Sequence, residues 1–174
     1  MSTTGLQDIM RVPLVGVDGQ EHSLGSLAGT TATAVIFMAN GCPTVRAYEG
    51  RLIALADAWR PAGLEVVGVN SNNASLSPPD TVDEMVARAT KRSYTFAYLK
   101  DADGALARAF GAVCTPHAFL LDPVLDVLYS GRIDDSRLGK TITSADLEDA
   151  VADVMAGRPV KVRSTEPFGC SIVW

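Results

Sequence analysis

The run Thr33-Ala-Val-Ile-Phe-Met38, followed at once by Ala-Asn-Gly-Cys-Pro43, constrains this chain more than any other feature. A short apolar run with β-branched residues reads as a strand covered on both faces, because it has too few residues for a buried helix. Pro43 suits the first position of a helix, where its missing N–H costs nothing. Beyond it, Val45, Tyr48, Leu52, Leu55, Ala56 and Trp59 recur at steps of three and four, which predicts one apolar helix face. Arg46, Glu49, Arg51 and Asp57 fall mostly away from that face, and Pro61-Ala-Gly63 ends the helix. The segment therefore reads as strand, tight turn and long helix, with Cys42 as the N-cap.

The same alternation continues along the chain. Leu64–Val69 reads as a second buried strand that finishes in the polar loop Asn70–Pro79. Asp80 or Thr81 caps a helix through about Arg92, with Val82, Met85, Val86 and Ala89 inward. Thr95–Leu99 is a strand, and Asp103–Gly111 a short helix with Leu106 and Phe110 inward. Ala118–Asp122 and Val127–Arg132 form a strand pair joined through Asp122-Pro123. Ser144 caps a last helix to Met155, ended by Gly157. At the other end, Asp18-Gly19 within Val12–Ser23 predicts a β-hairpin, and Ser23–Gly29 is long enough for one helical turn. The tail Arg158–Trp174 has no periodicity. Strands alternating with helices, then an antiparallel pair and a closing helix, predict an α/β sandwich with a mixed central sheet. With 174 residues the expectation is a single domain over 1–174, whose C-terminal tail is 160–174.

The N-cap position gives Cys42 its chemistry. A thiolate there is stabilised by the free amides of Thr44 and Val45 and by the positive end of the helix dipole. The bland alternative is a small buried apolar residue, as many free cysteines are. The chain has three cysteines, at 42, 114 and 170, and no Cys-x-x-Cys pair, so neither a zinc ribbon nor a dithiol motif is present. Net charge is −5 with no block of like charges, which points away from nucleic acid and anionic membranes. Nor does the N-terminal stretch read as a leader, and no apolar run approaches the roughly 20 residues of a membrane span. The default expectation is a cytoplasmic protein with a free reactive thiol.

Phe37-Met-Ala-Asn-Gly-Cys42 before a helix resembles the active-site approach of thioredoxins, Phe-Trp-Ala-x-Trp-Cys-Gly-Pro-Cys. Thr115-Pro116 before the strand Ala118–Asp122 resembles the cis-proline loop of that fold. The opening hairpin, the Asn70–Pro79 insert, Cys114-Thr-Pro-His-Ala-Phe119 and the ending Pro167-Phe-Gly-Cys-Ser-Ile-Val-Trp174 narrow the match. Together they are similar to the peroxiredoxin-like redoxin branch, the alkyl hydroperoxide reductase/thiol-specific antioxidant superfamily. The resemblance implies a thioredoxin-like α/β sandwich. It also implies that Pro43, Thr44, Thr115 and Pro116 face substrate. Val45 stands where thioredoxins have their second cysteine, so no disulfide spans the turn, and Ile36 stands where they bury a proton-relay Asp. Cys42-Pro-Thr44 echoes peroxiredoxins, yet Val35 and Ala39 occupy their Pro and Thr positions, and Thr115-Pro116-His117 stands where their Arg is expected. Peroxide reduction is accordingly expected to be weak.

The functional expectation is a thiol-based redox protein of the thiol–disulfide oxidoreductase or antioxidant type, with Cys42 as its nucleophile. Its substrates would be protein or small-molecule disulfides or peroxides, a thiol would serve as reductant, and no cofactor is implied. The resolving cysteine stays open. Cys114 either faces Cys42 or points into the core, and a Cα separation above about 7 Å would rule out a disulfide. Cys170 reaches Cys42 only if Phe168, Ile172, Val173 and Trp174 dock the tail. Cys42, Cys114 and His117 also have the ligand types for Cu(I) or Zn, which makes a soft-metal carrier the competing reading. A redox-inert binding module is the third. His22 is expected in solvent, Asn70, Ser71 and Asn72 either line the cleft or serve the loop, and Arg132 pairs with an Asp.

Overall fold

A computed structural model describes residues 3–174. Met1 and Ser2, where the leader reading begins, lie outside the described residues. In chain order the elements are α1 (Thr3–Ile9), β1 (Leu14–Gly16), β2 (Glu21–His22), β3 (Ala32–Phe37), α2 (Pro43–Trp59), β4 (Leu64–Asn70) and α3 (Val82–Arg92). These are followed by β5 (Ala97–Lys100), α4 (Ala105–Phe110), β6 (Cys114–Thr115), β7 (His117–Leu121), β8 (Val127–Gly131), α5 (Asp146–Met155) and β9 (Cys170–Ser171).

Every side chain of β3 is buried. Alternation along the strand explains how: Ala34 and Ile36 join one apolar cluster, Val35 and Phe37 the other. The first cluster packs α2, α3 and α5 on one face of the sheet, and the second packs α4 with Met10 and Leu24 on the other. The sheet has seven strands in the order β2-β1-β5-β4-β3-β7-β8. β3, β4 and β5 run parallel, whereas β7, β8 and the opening hairpin are antiparallel to their neighbours. The mixed sheet and the hairpin are those the sequence predicts. Among the described residues, no helix is long and apolar enough to cross a membrane.

Several local expectations change. Glu49 does not turn away from the core; it is 1% exposed, receiving Arg88 at 2.6 Å, Arg92 at 3.0 Å and the Tyr94 hydroxyl at 2.6 Å. An amphipathic pattern places a carboxylate on the polar side by default, and only α3 packing beside α2 supplies the cations that let it be buried. Val86, expected inward, is exposed. Ser144 does not cap α5: Ala145 is the N-cap, and the Ser144 hydroxyl donates to Asp146 instead, at 2.7 Å. His22 is half-buried against Asp18, 2.7 Å away. Helix α1 escaped the sequence reading, because seven residues are too few for periodicity to show.

The polar residues that follow β4 are not loop chemistry but a buried network at the carboxyl edge of the sheet. The Asp80 carboxylate accepts from the Asn40 amide at 2.7 Å, Asn70 Nδ2 at 2.8 Å, Asn72 Nδ2 at 2.9 Å and Ser77 Oγ at 2.6 Å. Lys100 Nζ donates to Asn70 Oδ1, the Asn72 carbonyl and the Asp80 carbonyl at 3.2, 2.6 and 2.9 Å. Tyr98 closes the ring by accepting from Asn70 and donating to Asn40, both at 3.0 Å. Burial alone would raise the Asp80 carboxyl, but the donors from Ser77, Asn72, Asn70 and Asn40 outweigh it and hold the group below its ordinary value. Its stabilisation is therefore present above about pH 4 and lost as pH falls through the lowered value. We expect Asp80→Asn, which turns an acceptor into a donor facing donors, to cost about 2–3 kcal/mol at neutral pH. Denaturant unfolding across pH 2–7 should show a smaller acid loss in the variant than in the wild type. Equal stability of the two at neutral pH would remove this role from Asp80.

Candidate active site

β3 delivers the chain to the carboxyl edge of the sheet, where residues 38–42 turn into α2. Asn40 is clamped there: its amide goes to Asp80, its side chain donates to the Pro79 carbonyl at 2.9 Å, and its carbonyl accepts from Arg46 Nε at 2.8 Å. Cys42 is the N-cap of α2 with an extended backbone (φ −80°, ψ 116°), and the Val45 amide donates to its sulfur at 3.4 Å. Of the two amides expected from the sequence, Val45's is the donor. No acidic residue occupies the first turn, so the helix dipole acts on the sulfur without a competing carboxylate.

Cys42 is joined to Cys170 in a disulfide that spans 128 residues with a Cα separation of 5.9 Å. The sulfur of Cys42 also lies 3.2 Å from the carbonyl oxygen of Thr115. In the reduced protein these two neighbours favour different forms. The carbonyl accepts a hydrogen bond from the S–H and so favours the thiol, whereas the amide and dipole of α2 favour the thiolate.

What brings Cys170 there is the tail. Strand β9 pairs antiparallel with β6, Thr115 opposite Cys170 and Cys114 opposite Ser171. The approach is close: a Cβ on Gly169 would lie 2.0 Å from the Thr115 carbonyl oxygen, so only glycine fits. Further on, the Asn73 amide donates to the Val173 carbonyl at 2.7 Å and the Val173 amide to Asn72 Oδ1 at 2.9 Å. Ile172 is buried, the Phe168 ring sits 6.4 Å from that of Tyr48, and the Arg108 guanidinium lies 4.4 Å over Trp174. Upstream, Arg163 and Thr165 exchange backbone hydrogen bonds with Ser130 of β8. A segment without periodicity is thus held by extended pairing and single apolar anchors.

The other candidate residues are distributed unevenly. Thr115 and Pro116, joined by a cis peptide bond, are buried beneath the tail, Thr44 is buried in α2, and Pro43 is exposed at its start. Cys114 stands free and buried, its sulfur 3.7 Å from the Pro116 carbonyl. Burial and the nearby Glu166 push its thiol up. It is not the partner of Cys42. His117 is also taken up by the fold, with Nδ1 accepting from the Val113 amide at 3.3 Å and Nε2 within 3.2 Å of Ser130 Oγ. Burial pushes its pKa down to about 4. Among the described residues no three His, Cys, Asp or Glu side chains are gathered as a metal site, so Cys42, Cys114 and His117 do not form a ligand set. Asn70 and Asn72 belong to the buried network, the buried Ser71 hydroxyl donates to Asp101 at 2.7 Å, and Arg132 Nε pairs with Asp146 at 2.6 Å. Asn40, Lys100 and Gly169 were not singled out from the sequence, and Asp80 was read only as a candidate helix cap, a place that Thr81 takes by accepting from the Glu84 amide. For Gly169 a signal existed in its place directly before Cys170.

Residues 7–130 match the model of the AhpC/TSA family. An uncharacterized conserved protein from Geobacillus kaustophilus is similar at 34% identity and TM-score 0.88, over 95% of this chain and 90% of that one. A hypothetical protein from Sinorhizobium meliloti is similar at 36% identity and TM-score 0.87, over 94% and 90%. Peroxiredoxin Q of Xanthomonas campestris shares the fold at 22% identity and TM-score 0.62, over 86% and 92%. No curated protein matches the chain.

Because the Gly169 backbone presses on Thr115, Gly169→Ala should lift the ribbon while leaving the sheet intact. After mild oxidation the variant should close the Cys42–Cys170 bond at least about tenfold more slowly, the added methyl opposing a ring closure that depends on geometry. Thiol counting by alkylation and mass would show this. Closure at the wild-type rate would mean that the tight approach does not position Cys170.

Proposed function

The chain belongs to the AhpC/TSA family, peroxiredoxin-like redoxins of thioredoxin fold, and on that premise we propose a thiol–disulfide oxidoreductase in which Cys42 is the nucleophile and Cys170 resolves. The observation that carries the reading is the disulfide from a helix N-cap to a docked tail. In the reduced protein the Cys42 thiolate attacks one sulfur of a substrate disulfide, forming a mixed disulfide and expelling the other sulfur as thiolate. Cys170 then attacks Cys42, the substrate leaves as its second thiol, and the Cys42–Cys170 bond closes. A thiol reductant restores both cysteines by the reverse exchange. Since Cys42 is 3% exposed beneath the tail, a bulky substrate reaches it with the β6–β9 ribbon lifted. Thr115, Pro116, Pro43 and Thr44 are the residues that would face substrate. Cys114 takes no part.

Peroxide is the weaker substrate in this reading. The thiolate would be oxidised to sulfenic acid, and Cys170 would condense with it and release water. Val35 and Ala39, where peroxiredoxins carry their Pro and Thr, supply no group to orient the peroxide.

Reduced protein treated with a small-molecule disulfide tests the assignment. Wild type should pass through a transient adduct to the intramolecular bond. Cys170→Ser should stop at an adduct on Cys42, Cys42→Ser should lose the fast reaction by at least about a hundredfold, and Cys114→Ser should match wild type. An adduct that forms first on Cys170 or Cys114 would reverse the roles.

A further inference from the structure

Thr115 differs from the other buried polar side chains. The residue is 2% exposed, and its hydroxyl oxygen is sealed from solvent without a hydrogen-bond partner among the described residues. A hydroxyl held this way carries an uncompensated desolvation cost. Its position says when that cost is relieved. Thr115 stands directly opposite Cys170 in the β6–β9 ribbon. Directly opposed residues of an antiparallel pair place their side chains on one face, with Cβ atoms about 4.5–5.5 Å apart. The Cys170 side chain is bonded to Cys42, so the Thr115 hydroxyl sits on the face that carries the disulfide.

In the closed form the Cys170 sulfur is tied in the S–S bond, a poor acceptor aimed at Cys42. Once that bond opens, the sulfur is free to rotate about its Cα–Cβ bond and becomes a thiolate, a strong acceptor for a hydroxyl, or a thiol, a weaker one. The ribbon has holds other than the disulfide: the Val173 bonds to Asn72 and Asn73, and buried Ile172. Thr115 and Cys170 therefore stay opposed when the tail is docked and reduced.

We propose that the Thr115 hydroxyl is a hydrogen-bond donor to the opened Cys170 sulfur and sets the balance of the Cys42–Cys170 couple toward the dithiol. The inference rests on the redox couple proposed above. With a dithiol as reductant the exchange balances. One thiolate attacks the half-buried Cys170 sulfur, the S–S bond breaks, and Cys42 leaves as the thiolate beneath the Val45 amide. The reductant's second thiolate then attacks its own mixed-disulfide sulfur and releases Cys170 as the thiolate that Thr115 receives. Two electrons pass to the protein, the reductant ends as its cyclic disulfide, and both cysteines take up protons. Thr115 is thus a positioning residue for the leaving sulfur.

Equilibration in dithiothreitol redox buffers, followed by alkylation and mass analysis, reads the couple directly. Thr115→Val keeps the shape and removes the hydroxyl. It should shift the equilibrium about tenfold toward the disulfide, about 30 mV more negative for a two-electron couple. Its oxidised form should melt higher than wild type and its reduced form should not. Thr115→Ser, which keeps the donor, should restore the wild-type ratio. Thr115→Ala should shift in the same direction as Val and covers the case in which Val folds poorly. An unchanged ratio in Val and Ala, or an equal shift in Ser, overturns the proposal. If wild type itself shows no two-thiol titration of Cys42 and Cys170, the redox couple fails instead, and the two failures are distinct.

Discussion

The carboxylate of Asp80 accepts from Asn40 in the turn, from Asn70 at the end of β4, and from Asn72 and Ser77 in the loop between β4 and α3. Through these bonds one buried charge ties three parts of the chain that meet at the carboxyl edge of the sheet. Asn72 in turn receives the Val173 amide, so the same cluster reaches the tail. The turn that carries Cys42 is braced by distant segments, Asn40 being held by Asp80 and Pro79. A carboxylate buried with four donors is stable only as a complete set, which makes the geometry of this edge all-or-nothing.

On that frame the sulfur of Cys42 occupies a divided environment. Helix α2 offers an amide and a dipole that favour the anion, and the Thr115 carbonyl offers an acceptor that favours the thiol. The closed disulfide removes the conflict by taking the proton out of play. The tail does the rest by laying Gly169 against the Thr115 carbonyl and Cys170 across from Thr115. Strand pairing thus covers the sulfur: in the function proposed above, the backbone that would face a substrate is the backbone the tail occupies.

The sheet shows how the fold serves this edge. β3 is covered on both faces, so its end cannot drift without uncovering one apolar layer or the other. Glu49 with Arg88, Arg92 and Tyr94 locks α3 to α2 on one side of the site. None of these residues touches the sulfurs, yet together they decide where the N-terminus of α2 points.

Local pattern determined a good deal. The strand at β3, the helix after Pro43, the cap at Cys42, the opening hairpin and the order of strands and helices all follow from periodicity, turn residues and proline geometry, which act over a few neighbours. Pairings across the chain were decided only by tertiary structure. That Cys170 rather than Cys114 meets Cys42, that Glu49 and Asp80 are buried, that His117 is spent on Val113 and Ser130, and that the Thr115 hydroxyl is left over depends on which distant segments are brought together. The physical reason is range: backbone preference is a property of adjacent residues. The partner of a buried sulfur, charge or hydroxyl is whatever the packing of remote segments places within a few ångströms of it.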